Sequence, residues 1–268
     1  MSVVIQKFSP SPALKPYIEH YWQGDFNTSA ASLLVQQIVP DGFIDLIIHL
    51  TDTRCELLQH YYFDSTPDYM IVGLYTRSFP IQFTGLAKVF SIRFKPEGIY
   101  QLFGVPAAEL QETFIDIESL NRKYFRDFCH RLREKTCTGE MIHHCEQFFL
   151  QQLHNMKLQH YYLNCAAEII RQQKGKVSME ALAAEACISI RQLEREFKQK
   201  IGLSPKQYMR LTRLSEANRL MDSGKDIDLT GLSYACGFAD QAHFTREFRE
   251  FIGEKPTAFL KEREKFFP

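Results

Sequence analysis

Net charge is the first thing the sequence lacks: 32 Lys and Arg balance 32 Asp and Glu over 268 residues. That balance argues against a partner held by bulk electrostatics alone, since phosphate binding draws on a basic surface. No apolar run reaches the roughly 18 residues of a membrane span, and the opening MSVVIQKFSPSPALKPYI has no basic segment followed by an apolar one. Neither membrane insertion nor secretion is expected. The seven cysteines (Cys55, Cys129, Cys137, Cys145, Cys165, Cys187 and Cys236) are odd in number and scattered, so they form no disulfide framework and fit free thiols in a reducing cytosol. A phosphate-cradling glycine loop and a GxSxG nucleophile turn are both missing. Cys129, His130, Cys137, His143, His144 and Cys145 lack the short paired spacings of a zinc site. His20, His49 and His60 are too far apart for a metal-dependent oxygenase or isomerase. No catalytic residue, metal or cofactor is therefore expected, and a DNA-repair enzyme would need a reactive cysteine context that the front half does not offer.

What is present looks like an average soluble protein, with 45% hydrophobic and 24% charged residues. The length fits two domains. Charge is unevenly placed: residues 1–157 hold 14 Lys and Arg against 17 Asp and Glu, and residues 158–268 hold 18 against 15. The front carries short β-branched or aromatic runs, LLVQQIVP, FIDLIIHL, DYMIVGLY, FPIQFTG and AKVFSIRFKP, broken by Gly, Pro and Asp. Such runs predict strands closing into a small barrel or sandwich over residues 1–112. Pro40, Asp41 and Gly42 read as a turn, and a short helix is expected between Ala13 and Tyr21. Asp41 and Asp45 fit turn capping better than ligand contact, and Tyr21, Trp22 and Phe43 fit core filling better than a pocket.

Over residues 113–157 the apolar residues recur at helical intervals (Tyr124, Phe125, Phe128, Leu132, then Ile142, Phe148, Phe149, Leu153), with Gly139 expected to divide two helices. Either a helical pair packed on the barrel or a dimerisation arm fits that pattern. Helices continue through residues 158–268, and there the chain repeats itself. Arg195, Glu196, Phe197, Gly202 and Pro205 recur 51 residues later as Arg246, Glu247, Phe248, Gly253 and Pro256.

Each copy predicts a short helix, a turn and a second helix. In the first, Ser178 caps Met179–Ala186, Cys187 and Ile188 turn, and Ser189 caps Ile190–Lys200 with Leu193 and Phe197 inward. In the second, Leu229–Cys236 leads through Gly237 and Phe238 to an Asp240 cap and Gln241–Phe251, with Phe244, Phe248 and Phe251 inward. Outward faces then carry Arg191, Gln192, Glu194, Arg195 and Lys198, and Gln241, Ala242, His243, Thr245, Arg246 and Arg249. Arg can hold guanine through two acceptors, Gln can pair with adenine, and Thr can touch a thymine methyl. Ser189, Lys198, Lys200 and Arg249 are better placed for phosphates. Between the copies, Ser204–Ser223 predicts a helix with Pro205 in its first turn and Gly224 as its stop. About twenty residues would span roughly 30 Å, near the ~34 Å between successive major grooves.

The strings LAAEACISIRQLEREFKQKIGLSPKQYM and LSYACGFADQAHFTREFREFIGEKPTAFL resemble the AraC/XylS family of transcription regulators over residues 160–263. By position the resemblance puts base-facing roles on Arg191, Glu194 and Arg195, and on Gln241, Ala242, His243 and Arg246. Cys187 stands where the first turn often has Gly, which implies that an ordinary helical or bridge conformation is tolerated there. Ala242 brings no hydrogen-bonding group. PSPALKPYIEHYW, VPDGFIDLIIHL and the stretch from Gly73 to Lys95 are similar to the β-rich sensor domain of some members. The resemblance implies a two-domain α+β chain, with a cupin-like N-terminal β-barrel extended by helices and an all-α C-terminal domain of two helix-turn-helix units joined by a long helix. It implies double-stranded promoter DNA as partner, with a small-molecule effector, RNA polymerase and a second protomer as further candidates, and a cytoplasmic activator as the setting. The competing reading is a small-molecule-binding barrel whose helical tail makes protein contacts, and the zero net charge is its main support.

Overall fold

The computed structural model describes residues 2–28, 34–58, 66–155, 161–222 and 228–266. Among the described residues nine strands come first, interrupted and followed by helices: β1 (Ser2–Phe8), β2 (Ile18–Asn27), β3 (Leu34–Ile38), β4 (Ile44–His49), β5 (Glu56–Leu57), β6 (Tyr69–Val72), β7 (Phe79–Phe83), β8 (Leu86–Phe94), then α1 (Pro96–Phe103), a 3-10 turn at Ala107–Leu110, and β9 (Phe114–Asp116). They make a six-stranded sheet in the order β1-β2-β8-β4-β6-β9 and a three-stranded sheet in the order β3-β7-β5. Every named strand pair is antiparallel.

Alternation along the central strands explains the layering, because successive side chains leave opposite faces. Ile44, Leu46 and Ile48 of β4 join Phe90, Ile92 and Phe94 of β8 on one face. Ile47 and Val89 join Trp22, Phe26, Met70 and Phe114 on the other, where Phe79, Ile81 and Phe83 of the small sheet cover them. The first face is covered by α1 and by the pair α2 (Lys123–Arg133) and α3 (Thr138–Asn155), through Ile99, Leu102, Phe125, Phe128, Leu132 and Phe149. The large sheet is thus the middle layer of three. Among the described residues no ladder joins the two sheets, so the closed cupin-like barrel expected from the sequence is corrected to two facing sheets.

Other expectations also change. Residues 12–17 form turns and Ile18 already begins β2, so there is no helix from Ala13 to Tyr21; the segment is committed to the sheet because β2 pairs with both β1 and β8. Tyr21 and Trp22 point to opposite cores. Gly42 takes φ +86° in the expected turn, where Asp41 Oδ1 accepts from the Phe43 N–H (3.1 Å). Asp45 and Asp41 both receive Arg93, which is why the Arg93 cation survives burial. Gly139 lies inside the first turn of α3, and the α2–α3 break falls at residues 134–137 instead. His60 lies outside the described residues.

The C-terminal half is helical: α4 (Tyr161–Gln172), α5 (Met179–Glu185), α6 (Ile190–Lys200), α7 (Pro205–Met221), α8 (Leu229–Ala235), α9 (Gln241–Ile252) and α10 (Pro256–Lys261). Its core runs on from that of the helical layer in front of it. At the junction the Arg171 guanidinium reaches Glu97, Glu168 Oε2 (2.9 Å) and the Tyr208 hydroxyl (2.8 Å). Burial makes that convergence matter, since an unpaired charge there would be expensive.

Candidate nucleic-acid interface

The two repeated units fold alike down to their closing bonds. Ser178 Oγ accepts from the Ala181 N–H (3.1 Å) to start α5, and Asp228 accepts from Thr230 and Gly231 (2.9 Å each) to start α8. The inner helix of the first copy ends with Cys187 N–H on Ala184 O and Ile188 N–H on Ala183 O (3.1 Å each). That of the second ends with Gly237 N–H on Tyr234 O and Phe238 N–H on Ser233 O (3.0 Å each). Cys187 is therefore the counterpart of Gly237, and both are left-handed, at φ +55° and +79°.

The expectation that Cys187 sits in a helical or bridge conformation is corrected. The turn imposes positive φ and the side chain bears it, at a cost of about 1–2 kcal/mol for an L-residue. Cys187→Gly should raise stability by about 1 kcal/mol in urea unfolding, the added backbone entropy of glycine offsetting part of the relief. A loss of stability would show that the thiol makes a contribution exceeding the strain.

Ser189 then caps α6, accepting from the Gln192 N–H (3.2 Å), and Asp240 caps α9, accepting from His243 N–H (2.6 Å). Leu193 and Phe197 in one copy, and Phe244, Phe248 and Phe251 in the other, are buried. The 3.6-residue period leaves Arg191, Glu194, Arg195 and Lys198 exposed on α6, and Gln241, Ala242, Arg246 and Arg249 exposed on α9. Gln192, His243 and Thr245 are half-buried.

Hydrogen bonds sort these side chains further. Arg191, Lys198, Arg246 and Arg249 have no carboxylate partner among the described residues. Arg195 leans on Glu196 Oε1 (3.0 Å), and His243 on Glu247 Oε1 (3.1 Å). The Thr245 hydroxyl donates back to Gln241 O (2.8 Å), and Gln241 Oε1 accepts from the Thr230 hydroxyl (2.9 Å). Lys200, expected at a phosphate, is instead tucked against Glu196 with its side chain nearly buried.

Glu196 and Glu247 are the residues beneath this surface that sequence reasoning left unassigned. Each is only 8% exposed, and they occupy the same place in the repeat. Glu196 accepts from the Tyr162 hydroxyl of α4 (3.0 Å) and pairs with Lys200. Those bonds, Lys200 foremost, hold its carboxyl down at about 2. A depressed carboxylate stabilises the fold fully above its ordinary range, and that contribution fades as pH falls toward about 2. Glu247 accepts from Arg210 Nε of α7 (2.9 Å) and lies 3.8 Å from Arg213. One buried carboxylate thus bolts each outer helix to its support. The signal was an acid directly before a buried Phe, twice.

Between the units, α7 begins with a reciprocal cap: Gln207 N–H donates to Ser204 Oγ (3.3 Å) and Ser204 N–H to Gln207 Oε1 (3.0 Å). Tyr208, Leu211, Leu214, Ala217 and Met221 form its buried stripe. At 17 residues it is about 25 Å long, shorter than the twenty-residue expectation. Ser223 and Gly224 lie outside the described residues.

Comparison with known proteins places this geometry. A helix-turn-helix domain family matches residues 182–262. The transcriptional activator RhaS of Escherichia fergusonii is 38% identical over 88 residues, 33% of this chain and 31% of that protein. Residues 182–262 thus carry a helix-turn-helix domain similar to that of RhaS. The chain spans about a third of the length of the curated relatives it matches. Its residues 6–116 match a domain of unknown function, DUF6597. Among solved structures, a probable AraC family transcriptional regulator from Rhodopseudomonas palustris CGA009 aligns at 29% identity over 37% of this chain and 94% of its own, with a TM-score of 0.35. ToxT from Vibrio cholerae O395 aligns at 12% identity over 90% and 97%, with a TM-score of 0.48.

Proposed function

We propose that this protein is a sequence-specific DNA-binding transcription regulator whose two outer helices, α6 and α9, enter major grooves of promoter DNA. The observation that carries the reading is the repeated helix-turn-helix, with guanidinium groups that have no carboxylate partner among the described residues on both outward faces, while the buried carboxylates of Glu196 and Glu247 are spent on the fold. Arg246 and Arg195 hold guanine, Arg191, Gln192, Glu194, Gln241, Ala242 and His243 share the base edges, and the Thr245 methyl meets thymine. Ser189, Lys198 and Arg249 take phosphates and set register. Residues 1–112 receive a small-molecule effector, residues 113–157 brace them, and residues 158–268 bind DNA. Because RhaS is described as an activator, activation in the cytoplasm through contact with RNA polymerase is the mode proposed, with a second protomer as a further partner.

Selection of bound genomic fragments gives the target, and anisotropy titrations then test the assignments. Affinity should fall steeply with salt, because several phosphate contacts release counterions. Arg246→Ala should lose about 10- to 100-fold in discrimination between target and random DNA, equivalent to about 1–3 kcal/mol. Lys198→Ala should weaken both alike. Salt-independent affinity would reject the function, and equal losses on both DNAs for Arg246→Ala would reject its role as a base reader.

A further inference from the structure

The face of the large sheet that looks away from the small sheet is not filled. Ile44 and Leu46 of β4, Phe94 of β8, Ile99 of α1 and Phe125 of α2 enclose a cavity of about 250 Å³. It is a different space from the one between the two sheets, where Trp22, Phe26 and Phe83 pack. At roughly 30 Å³ for each water-sized group, it has room for about eight heavy atoms. The walls are apolar, and among the described residues two charged ones line it, Glu109 and Arg122.

These two charges are not equivalent. Glu109 is exposed, so water screens it. Arg122 is half-buried and held by its Nη1 donation to Phe103 O (2.9 Å), with Tyr124 Oη at 3.4 Å. No carboxylate pairs with it among the described residues. Arg122 is also the residue before α2, and among the described residues no side chain caps that helix. Its first turn lines the cavity through Phe125, so the positive end of an eleven-residue helix and a guanidinium with unused donors stand at one rim. An apolar chamber with a cationic rim selects an apolar body with one anionic head.

We infer that this cavity is a binding site for a compact apolar monocarboxylate, its body among Leu46, Phe94 and Ile99 and its carboxylate on Arg122. The inference rests on the proposed reading of the chain as an effector-responsive regulator, and names the effector's class and seat. The route to DNA is short. Leu110 forms part of the cavity wall, and it ends the 3-10 turn Ala107–Leu110. That same turn sits on the joint between α6 and α7: a Cβ added to Gly202 would lie 3.1 Å from Ala107 O and 3.2 Å from Ala108. A ligand that presses on Leu110 therefore presses on the support of the first outer helix.

Cyclohexylacetate is a suitable probe, and 2-cyclohexylethanol is its neutral counterpart. Calorimetry on the full chain should show one saturable site for cyclohexylacetate. Arg122→Gln should weaken cyclohexylacetate tenfold or more and leave the alcohol within twofold; Val105→Phe, which adds bulk at a lining position, should weaken both. Saturating cyclohexylacetate should shift affinity for the selected DNA fragment at least threefold in the native chain and not in Val105→Phe. Absence of binding to the native chain, or equal losses of acid and alcohol in Arg122→Gln, overturns the site. Binding without any change in DNA affinity overturns the coupling. DNA binding by the ligand-free protein tests the regulator reading separately, so either can fail while the other stands.

Discussion

Glu247→Ala is expected to cost about 3 kcal/mol or more of folding stability and to detach the second outer helix from its support. The carboxylate is buried between Arg210, whose Nε donates to it at 2.9 Å, His243 at 3.1 Å, and Arg213 at 3.8 Å. Truncation removes the acceptor and leaves the cations behind. Breaking a buried ion pair from one side costs about 3–5 kcal/mol, because the remaining charge stays desolvated. Part of that loss is recovered for Arg210, which keeps Glu250 Oε2 at 2.6 Å. Among the described residues Arg213 keeps its donation to Gly175 O (3.3 Å) and its place over the Phe238 ring at 5.4 Å. Glu247→Gln keeps the shape and loses the charge, so it should fall between the native protein and alanine. Urea unfolding followed by circular dichroism supplies the measurement. A loss below about 1 kcal/mol for the alanine variant would mean that α9 is held by its three phenylalanines alone.

The same residue shows why the candidate site was only partly legible in the sequence. Outward residues of α6 and α9 could be assigned from the helical period, because buried Leu193 and Phe197 fix the phase of one and three buried Phe residues that of the other, with a Ser or Asp to fix each start. Those signals are local. Glu196 and Glu247 escaped because a charged residue beside a reading face is ordinarily solvated; their burial depends on Tyr162, Arg210 and Arg213, which are 34 or more residues away. Cys187 escaped for another reason: the turn geometry belongs to the repeat, and a single copy with Cys gives no hint that Gly237 holds the equivalent conformation.

In the front half, the runs around β4, β6, β7 and β8 were legible as strands, whereas β1 and β2 were not. The β2 sequence IEHYWQGDFN buries Tyr21 on one face and Trp22 and Phe26 on the other, so its pattern does not alternate between water and core. Helix α1 carried usable signals, Pro96 at its start and Gly104 at φ +67° after its end, hidden because it directly follows a long strand. Closure into a barrel was unreadable, since it depends on which strands pair at long range. Asp45 and Arg93, 48 residues apart, hold β4 to β8 in a way that no local window reveals.

Gly73→Ala should be the most damaging small substitution in the front half. A Cβ at Gly73 would sit 1.7 Å from Leu110 O and 2.9 Å from Thr113 O. Both obstacles are backbone, and both are held in place: Gly73 N–H donates to Thr113 O and Leu74 N–H to Leu110 O (2.9 Å each), while Glu112 N–H returns to Leu74 O (3.0 Å). Relief requires the two strands of chain to separate, which breaks those bonds. We expect a loss of about 4 kcal/mol or more, at the upper end of what single substitutions do. Gly104→Ala is the control. Its Cβ would meet nothing within 4 Å, so only the left-handed strain at φ +67° remains, worth about 1–2 kcal/mol. The comparison separates steric exclusion from conformational preference, and it has a functional arm. Because Leu110 both closes the cavity and ends the turn beneath Gly202, Gly73→Ala protein that remains folded at low temperature should bind cyclohexylacetate poorly and lose affinity for DNA. Retention of both, with stability within about 1 kcal/mol of native, would show that the Leu110 carbonyl yields more readily than its hydrogen bonds imply.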